Sequence, residues 1–315
     1  MKQFLTIALA SSALSLAACG GTEQDTLPVE PPVAGTNTDA PTETASEFTS
    51  EHLTIEVFGT GQPVILIPGL ASNAAVWDST IAALEDEYEL HVVQVSGFAG
   101  APPRGNAGHT GVLDSLADEL VRYTGRLDEK PAVIGHSLGG LVALKMGIAS
   151  DTSFDRLMIV DVLPFFSVLM NPDATEDNMA PVSAAMKAEL LAQSDELFSE
   201  RQRLGLSVLV QSPEDLELAL SWSEMSDRNV MAQAMSEVIV TDLREPIGGI
   251  DVPVTIVFAR DDALPNMDQT QTFYEDLYAP IPDHELIVMS NARHFVMFDR
   301  PNAFNHIVET FLAED

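Results

Sequence analysis

This chain predicts an α/β fold: a mainly parallel central sheet with helices on both faces and an inserted helical cap. Three observations carry that reading. Short continuous apolar runs alternate with longer amphipathic stretches from His52 to the C-terminal end, as expected of strands buried on both faces and joined by crossover helices. The stretch Pro131 to Ile148, PAVIGHSLGGLVALKMGI, packs a strand, a glycine-rich turn and a helix into one unit. From about Leu163 to Gly249 the alternation stops and only helical patterns remain, so a helical cap is inserted between two sheet strands.

The elements follow in order. His52 to Phe58 alternates like a half-exposed strand, and Pro63 to Ile67 (PVILI) is a β-branched run suited to a fully buried one. Val76 to Leu84 reads as a helix, Leu90 to Val95 as a strand, and Val112 to Leu127 as an amphipathic helix. Ala132 to Ile134 is a short buried strand. After the turn, Leu141, Leu144, Lys145 and Ile148 recur at helical spacing. Leu157–Val160, Val254–Phe258 and Leu286–Met289 read as the remaining strands, and Ala303–Leu312 as the closing helix. Within the cap, Ala184–Leu191, Ser207–Val210 and Leu216–Trp222 carry helical patterns. Phe165, Phe166, Leu169, Met170, Trp222, Met225, Met231 and Met235 supply its apolar side chains. Most of these belong to the cap core, with a few expected to line an acyl or alkyl pocket, to which methionine adapts well.

Gly135, Ser137 and Gly139 fit G-x-S-x-G, and the strand-turn-helix context required of a nucleophile elbow is present. Crowding explains the glycines. The serine sits at a strained backbone conformation on a tight turn, where side chains two residues to either side would strike the neighbouring strand and helix. The turn also leaves the Leu138 N–H at a helix N-terminus, where developing negative charge is stabilised. A glycine-rich turn with an incidental serine is the blander alternative.

This order of elements, with the elbow after the third parallel strand, resembles the α/β-hydrolase family from His52 onward. The resemblance is carried most specifically by Gly135-His136-Ser137-Leu138-Gly139-Gly140 and by the region around His294. It implies a serine, acid, histidine triad in that chain order. Ser137 is then the nucleophile, and a hydroxyl needs a base within reach to act as one. His294, in Ser290-Asn291-Ala292-Arg293-His294-Phe295 after the last strand, is the implied base; His284 is placed less well, and His136 points elsewhere in such an elbow. The acid should follow the strand Val254–Phe258. Asp261, which opens D-x-x-x-P ending at Pro265, is preferred over Asp262, and Asp161 after the preceding strand is a third candidate with a structural role as its alternative. The oxyanion donors implied are the N–H groups of Leu138 and of Leu70 in Pro68-Gly69-Leu70. Trp77 either roofs the site or packs the next helix. The loop Ser96 to His109 borders the same rim.

Serine chemistry at the elbow suits acyl transfer, so the expected activity is hydrolysis of a carboxylic ester, or of a lactone or thioester, with a small to medium acyl group. A non-catalytic binding module on the same fold is the competing class. An aminopeptidase would need an acidic pair for the substrate amine; Glu176-Asp177, Glu196, Glu200, Glu214 and Glu217 are present, but in so acidic a chain such residues are mostly solvated.

Composition narrows the partners. The formal net charge is −33 over 315 residues, which repels nucleic acid and anionic lipid. The single cysteine permits no intrachain disulfide or thiolate cluster. No close histidine pair is present, so neither a metal nor a cofactor is implied. Residues 1–18 read as an export signal: Lys2, then an apolar core from Phe4 to Leu16 that is too short to span a bilayer. Leu16-Ala17-Ala18-Cys19 resembles the lipobox of bacterial lipoproteins. This implies a lipidated Cys19 at the cell envelope, with Gly20 after it implying outer-membrane sorting. Residues 19–47, rich in proline, threonine and acid with no lysine or arginine, read as an extended tether, and 48–315 as the hydrolase domain.

Overall fold

A computed structural model of the chain describes residues 48–108, 110–149, 153–261 and 267–313. The expected export signal, Cys19 and tether lie outside the described residues, as do His109 and Asp262.

Seven strands form one sheet in the order β1-β3-β2-β4-β5-β6-β7: β1 (Leu53–Phe58), β2 (Gln62–Ile67), β3 (Tyr88–Val95), β4 (Ala132–His136), β5 (Arg156–Val160), β6 (Val254–Arg260) and β7 (His284–Ser290). Every neighbouring pair is parallel except β1–β3, which is antiparallel. β1 is an edge strand with Leu53 buried and Thr54, Glu56 and Val57 exposed, whereas β2 and β4 are buried nearly throughout. That is the difference between a strand with one face in water and strands covered on both.

Successive side chains of the central strands enter two separate cores. Ile65, Val133 and Ile159 point into one with α2 (Val112–Thr124), α3 (Leu138–Ile148) and α8 (Met267–Tyr278). Val64, Leu66, Ile134 and Met158 point into the other with α1 (Asp78–Leu84), α9 (Val296–Asp299) and α10 (Pro301–Ala313). The period of two along each strand builds the three layers. α8 lies where the sequence reading had no helix.

Between β5 and β6, which are sheet neighbours, the chain builds the cap from α4 (Glu176–Ala192), α5 (Asp195–Leu206), α6 (Pro213–Met225) and α7 (Arg228–Val240). α4 opens with a capping box at Thr175, α5 is capped by Ser194, α6 by Ser212 with Pro213 in its first turn, and α7 by Asp227, each side chain taking up orphan N–H groups. The helical pattern expected at Ser207–Val210 is instead the turn between α5 and α6, which closes through Val210 N–H donating to Leu206 C=O. Its apolar spacing reflects burial of Val210 against the core, with 2% exposed. The cap is fastened to the core at α2: the Glu237 carboxylate of α7 accepts from the N–H groups of Gly111, Val112 and Leu113 at 2.7, 3.0 and 2.9 Å. These are the orphan amides of a helix start, satisfied here by an anion from a distant element.

Candidate active site

β4 ends at His136, and the chain turns at Ser137 directly into α3. Ser137 holds φ 54° and ψ −120°, a strained conformation for a non-glycine residue. Its N–H donates to Val160 C=O at 2.9 Å, and its own C=O accepts from Gly140 and Leu141. A Cβ on Gly135 would run into the Gly139 carbonyl, and one on Gly139 into the carbonyls of Ile67 and Pro68, so crowding fixes both positions as glycine. A Cβ on Gly69 would lie 3.1 Å from the Ser137 Cβ, which places the loop Pro68-Gly69-Leu70 against the serine. Leu138 opens α3, and its N–H is one of the amides a helix start leaves without an internal partner.

The histidine loop reaches the same place from β7. His294 Nδ1–H donates to Asp161 Oδ2 at 2.8 Å, and His294 C=O accepts from His136 Nε2–H at 3.0 Å. This tautomer leaves Nε2 as the basic nitrogen of His294. Asp161 is the first residue past β5. Its Oδ1 accepts from Ala259 N–H at 2.8 Å and from the Tyr274 hydroxyl at 3.3 Å. Burial alone would raise the Asp161 carboxyl, but the hydrogen bond and charge of His294, with the Ala259 N–H, outweigh it and hold the group below the ordinary aspartate range. An aspartate kept ionised against an imidazole can orient the ring and stabilise its cation.

Asp261, preferred from the sequence as the acid, does not face His294. Its carboxylate receives Arg293 Nε at 2.9 Å. The two aspartates stand at equivalent strand ends, one past β5 and one past β6, and the histidine loop presents a different residue to each. Asp261 is thereby corrected to a partner of Arg293, and the partner of the imidazole is Asp161, the third candidate. The sequence reading gave Arg293 and Tyr274 no role. The sequence held no signal that decides between the two aspartates; that β5 pairs directly with β4, and so ends beside the elbow, is seen only in the sheet order.

Strain gathers around this point. Of the six non-glycine residues with positive φ among the described residues, Ala71, Ala99, Ser137, Asp161 and Asn291 all lie in loops at the carboxyl ends of the parallel strands or at the elbow. His136 is fully buried between the histidine and Gly69 loops, its ring 4.6 Å from that of His294 and 5.1 Å from that of Phe295. Burial, with the neighbouring charge of His294, pushes it down to about 3, so it is neutral. Trp77 is also fully buried and stacks on Phe304 of α10; it packs that layer and does not roof the site. Above the Leu70-Ala71 loop sit Phe198 of α5 and Met231 of α7. The cap carboxylates Glu176, Asp177, Glu196, Glu200, Glu214 and Glu217 are all exposed. Among the described residues no group of His, Cys, Asp and Glu side chains is arranged to hold a metal, and no helix is long and apolar enough to cross a membrane.

The model of the alpha/beta hydrolase family matches residues 64–307. The chain belongs to that family. Among curated relatives, this α/β hydrolase is 27% identical over 262 residues to the pimeloyl-[acyl-carrier protein] methyl ester esterase of Aliivibrio fischeri, covering 81% of this chain and 95% of that one. The enzyme of the same name from Aeromonas hydrophila is 26% identical over 265 residues, covering 83% and 99%. Among solved structures, the enol-lactonase of Burkholderia xenovorans superposes with a TM-score of 0.66 at 17% identity, covering 83% of this chain and 96% of that one. A thermophilic esterase from Thermogutta terrifontis superposes with 0.65 at 19%, covering 82% and 92%. At these identities the solved structures speak for the fold alone.

Proposed function

We propose that the protein is a serine hydrolase of carboxylic esters with a small to medium acyl group. Ser137 acts as nucleophile, His294 as base, Asp161 as the orienting carboxylate, and the N–H groups of Leu70 and Leu138 receive the oxyanion. The observation that carries this is the 2.8 Å pair of Asp161 and His294, whose imidazole lies 4.6 Å from the ring of His136, the residue before the strained Ser137. His294 Nε2 takes the Ser137 proton as Oγ attacks the ester carbonyl. The tetrahedral oxyanion is held by the two amides, and the protonated imidazole then gives its proton to the departing alcohol. Water, deprotonated by the same nitrogen, releases the acid from the acyl-enzyme.

Charge refines the substrate. The curated relatives named above act on a methyl ester carried by an acyl-carrier protein. Here residues 163–249 hold fifteen acidic and five basic side chains. Each cap arginine is already paired: Arg201 with Glu189, Arg203 with Glu217, Arg228 with Asp195 and Arg244 with Asp242. Lys187 is engaged by Gln233. A carrier presenting its acyl group on a phosphate-bearing arm would meet like charge, so a free small-molecule ester fits this cap better. The lipobox-like Leu16-Ala17-Ala18-Cys19 supports a lipid-anchored enzyme of the cell envelope.

The test is hydrolysis of p-nitrophenyl esters from acetate to long acyl by the full-length protein, with Ser137→Ala beside it. The expected result is Ser137-dependent turnover with an optimum at short to medium chains, and labelling of Ser137 by a fluorophosphonate. Turnover that survives in Ser137→Ala, or a serine that resists the label together with no turnover, would overturn the reading in favour of a binding module.

A further inference from the structure

The loop bearing His294 is fastened to the cap as well as to the sheet. Arg293, the residue before the histidine, sends its guanidinium two ways. Nη1 donates to the carbonyls of Ser207 and Val210 in the α5–α6 turn, both at 2.9 Å, while Nε donates to Asp261 at the end of β6. Phe295, the residue after the histidine, donates its N–H to Leu209 C=O at 3.2 Å. Gln211 completes the seam: its N–H reaches Asp299 Oδ1 and its Nε2 reaches Asn291 C=O, each at 3.0 Å. Asp299 Oδ2 in turn accepts from Arg293 N–H at 2.7 Å. Both chain neighbours of His294 are therefore bonded to one five-residue cap turn.

The other half of the cap is held elsewhere. α7 is clamped to α2 through Glu237, and α4 is joined to α7 through Ser183–Ser236 and Lys187–Gln233. The turn of the α5–α6 hairpin is seated on the histidine loop, while the far end of α6 is held at the loop after β3, where Ala99 N–H donates to Ser226 Oγ at 2.8 Å. Arginine suits the junction because its planar fork can serve carbonyls at one end and a carboxylate at the other, which a single ammonium cannot do with the same geometry.

We propose that Arg293 is a positioning residue for His294: it ties the α5–α6 turn, the end of β6 and the histidine loop together, so that seating of the cap hairpin sets the imidazole for proton transfer. The inference rests on the serine-hydrolase reading above. It gives a place in the reaction to Asp261, which fixes the guanidinium that in turn grips the cap.

The experiment compares Arg293→Met, Arg293→Lys and Gln211→Ala in the full-length protein on p-nitrophenyl butyrate, recording kcat, KM, the pH profile of kcat/KM and the melting temperature, with Ser137→Ala as control. Misplacing a catalytic group by a fraction of an ångström to an ångström costs up to about 100-fold, so Arg293→Met is expected to lower kcat about 10- to 100-fold. KM should change much less, and the acid limb of kcat/KM should move. Lysine should restore part of the loss, and Gln211→Ala, an exposed change, should show a smaller loss of the same kind. If Arg293→Met keeps the wild-type kcat and acid limb per folded molecule, the proposal is overturned. Should that variant not fold, Gln211→Ala decides alone, an unchanged kcat and acid limb again overturning it. A silent Ser137→Ala beside a fully active Arg293→Met removes only the tie, whereas activity persisting in Ser137→Ala removes the hydrolase reading beneath it.

Discussion

Asp161 and Asp261 occupy matching places on neighbouring strands, each one residue past the end, each largely buried, at 14% and 9% side-chain exposure. They differ in which of two consecutive residues they hold: Asp161 takes His294, and Asp261 takes Arg293. One carboxylate faces a group whose charge changes during a proton transfer; the other faces a guanidinium that stays charged throughout. Residue type and strand position are therefore insufficient to name a catalytic acid. The element that crosses above the sheet makes the distinction, because the histidine loop presents its consecutive residues Arg293 and His294 to different strand ends.

The largest test of this contrast is isosteric. Asp161→Asn keeps the shape but removes the charge and the tautomer preference for His294, and is expected to lower kcat by about 10³- to 10⁴-fold. Asp261→Asn should cost about tenfold by loosening Arg293. Both are read as kcat on one p-nitrophenyl ester at pH 8. Equal losses would mean that the two aspartates share one function, and a reversed order would return the acid to Asp261.

A second measurement probes the buried imidazole between them and the serine. His136 is neutral in the folded protein down to about pH 3, while the unfolded chain protonates it near its ordinary pKa of about 6.5. Between these values the unfolded state binds the extra proton, so stability rises with pH and is lost as pH falls below 6.5. Asp161, held below its usual range, loses stability in the same direction at the acid end of that window. Urea unfolding from pH 7 to 4 should show this decline, of order a few kcal/mol, and His136→Asn should flatten it. A slope unchanged in the variant would assign the acid sensitivity to other groups.

The smallest effect belongs to Tyr274→Phe. Its hydroxyl reaches Asp161 Oδ1 at 3.3 Å while Ala259 N–H already serves that oxygen at 2.8 Å. Loss of this long hydrogen bond to an ionised carboxylate, on an oxygen already served, is expected to cost about 1.5 kcal/mol or less, seen as a change in kcat of no more than about tenfold. A thousandfold loss would make the tyrosine part of the acid's machinery.

Much of this was legible in the residues. The elbow was, because crowding demands glycine at Gly135 and Gly139, and crowding is local in sequence. The place of His294 in the loop after the last strand was legible too, and there its ring meets Asp161 at 2.8 Å. The buried strands were legible because a strand covered on both faces is apolar throughout. The carboxylate partner of His294 was not: it depends on how β7 and its loop lie across β5 and β6, a relation between elements far apart in the chain. Ser207–Val210 misled for a related reason, since its apolar residues answer to the histidine loop and not to a helix face. α8 escaped because its boundary lacks a long apolar run, its buried tyrosines Tyr274 and Tyr278 being polar at their tips.

The insertion of the cap between two paired strands also has a consequence for the order of folding. Asp161 is held by its N–H on Val257 C=O and by Ala259 N–H on its carboxylate, the latter pair separated by 98 positions in the chain. Both partners belong to β6, which can dock on β5 only after the intervening helices have been gathered in. A loop of that length is costly mainly in search time, since each doubling adds only about 0.6 kcal/mol of closure entropy. Helices that collapse early shorten the effective loop and bring its ends together. In a refolding experiment, ester turnover should therefore return after the bulk of the helical signal, and turnover that returned first would show that β6 docks without waiting for the cap.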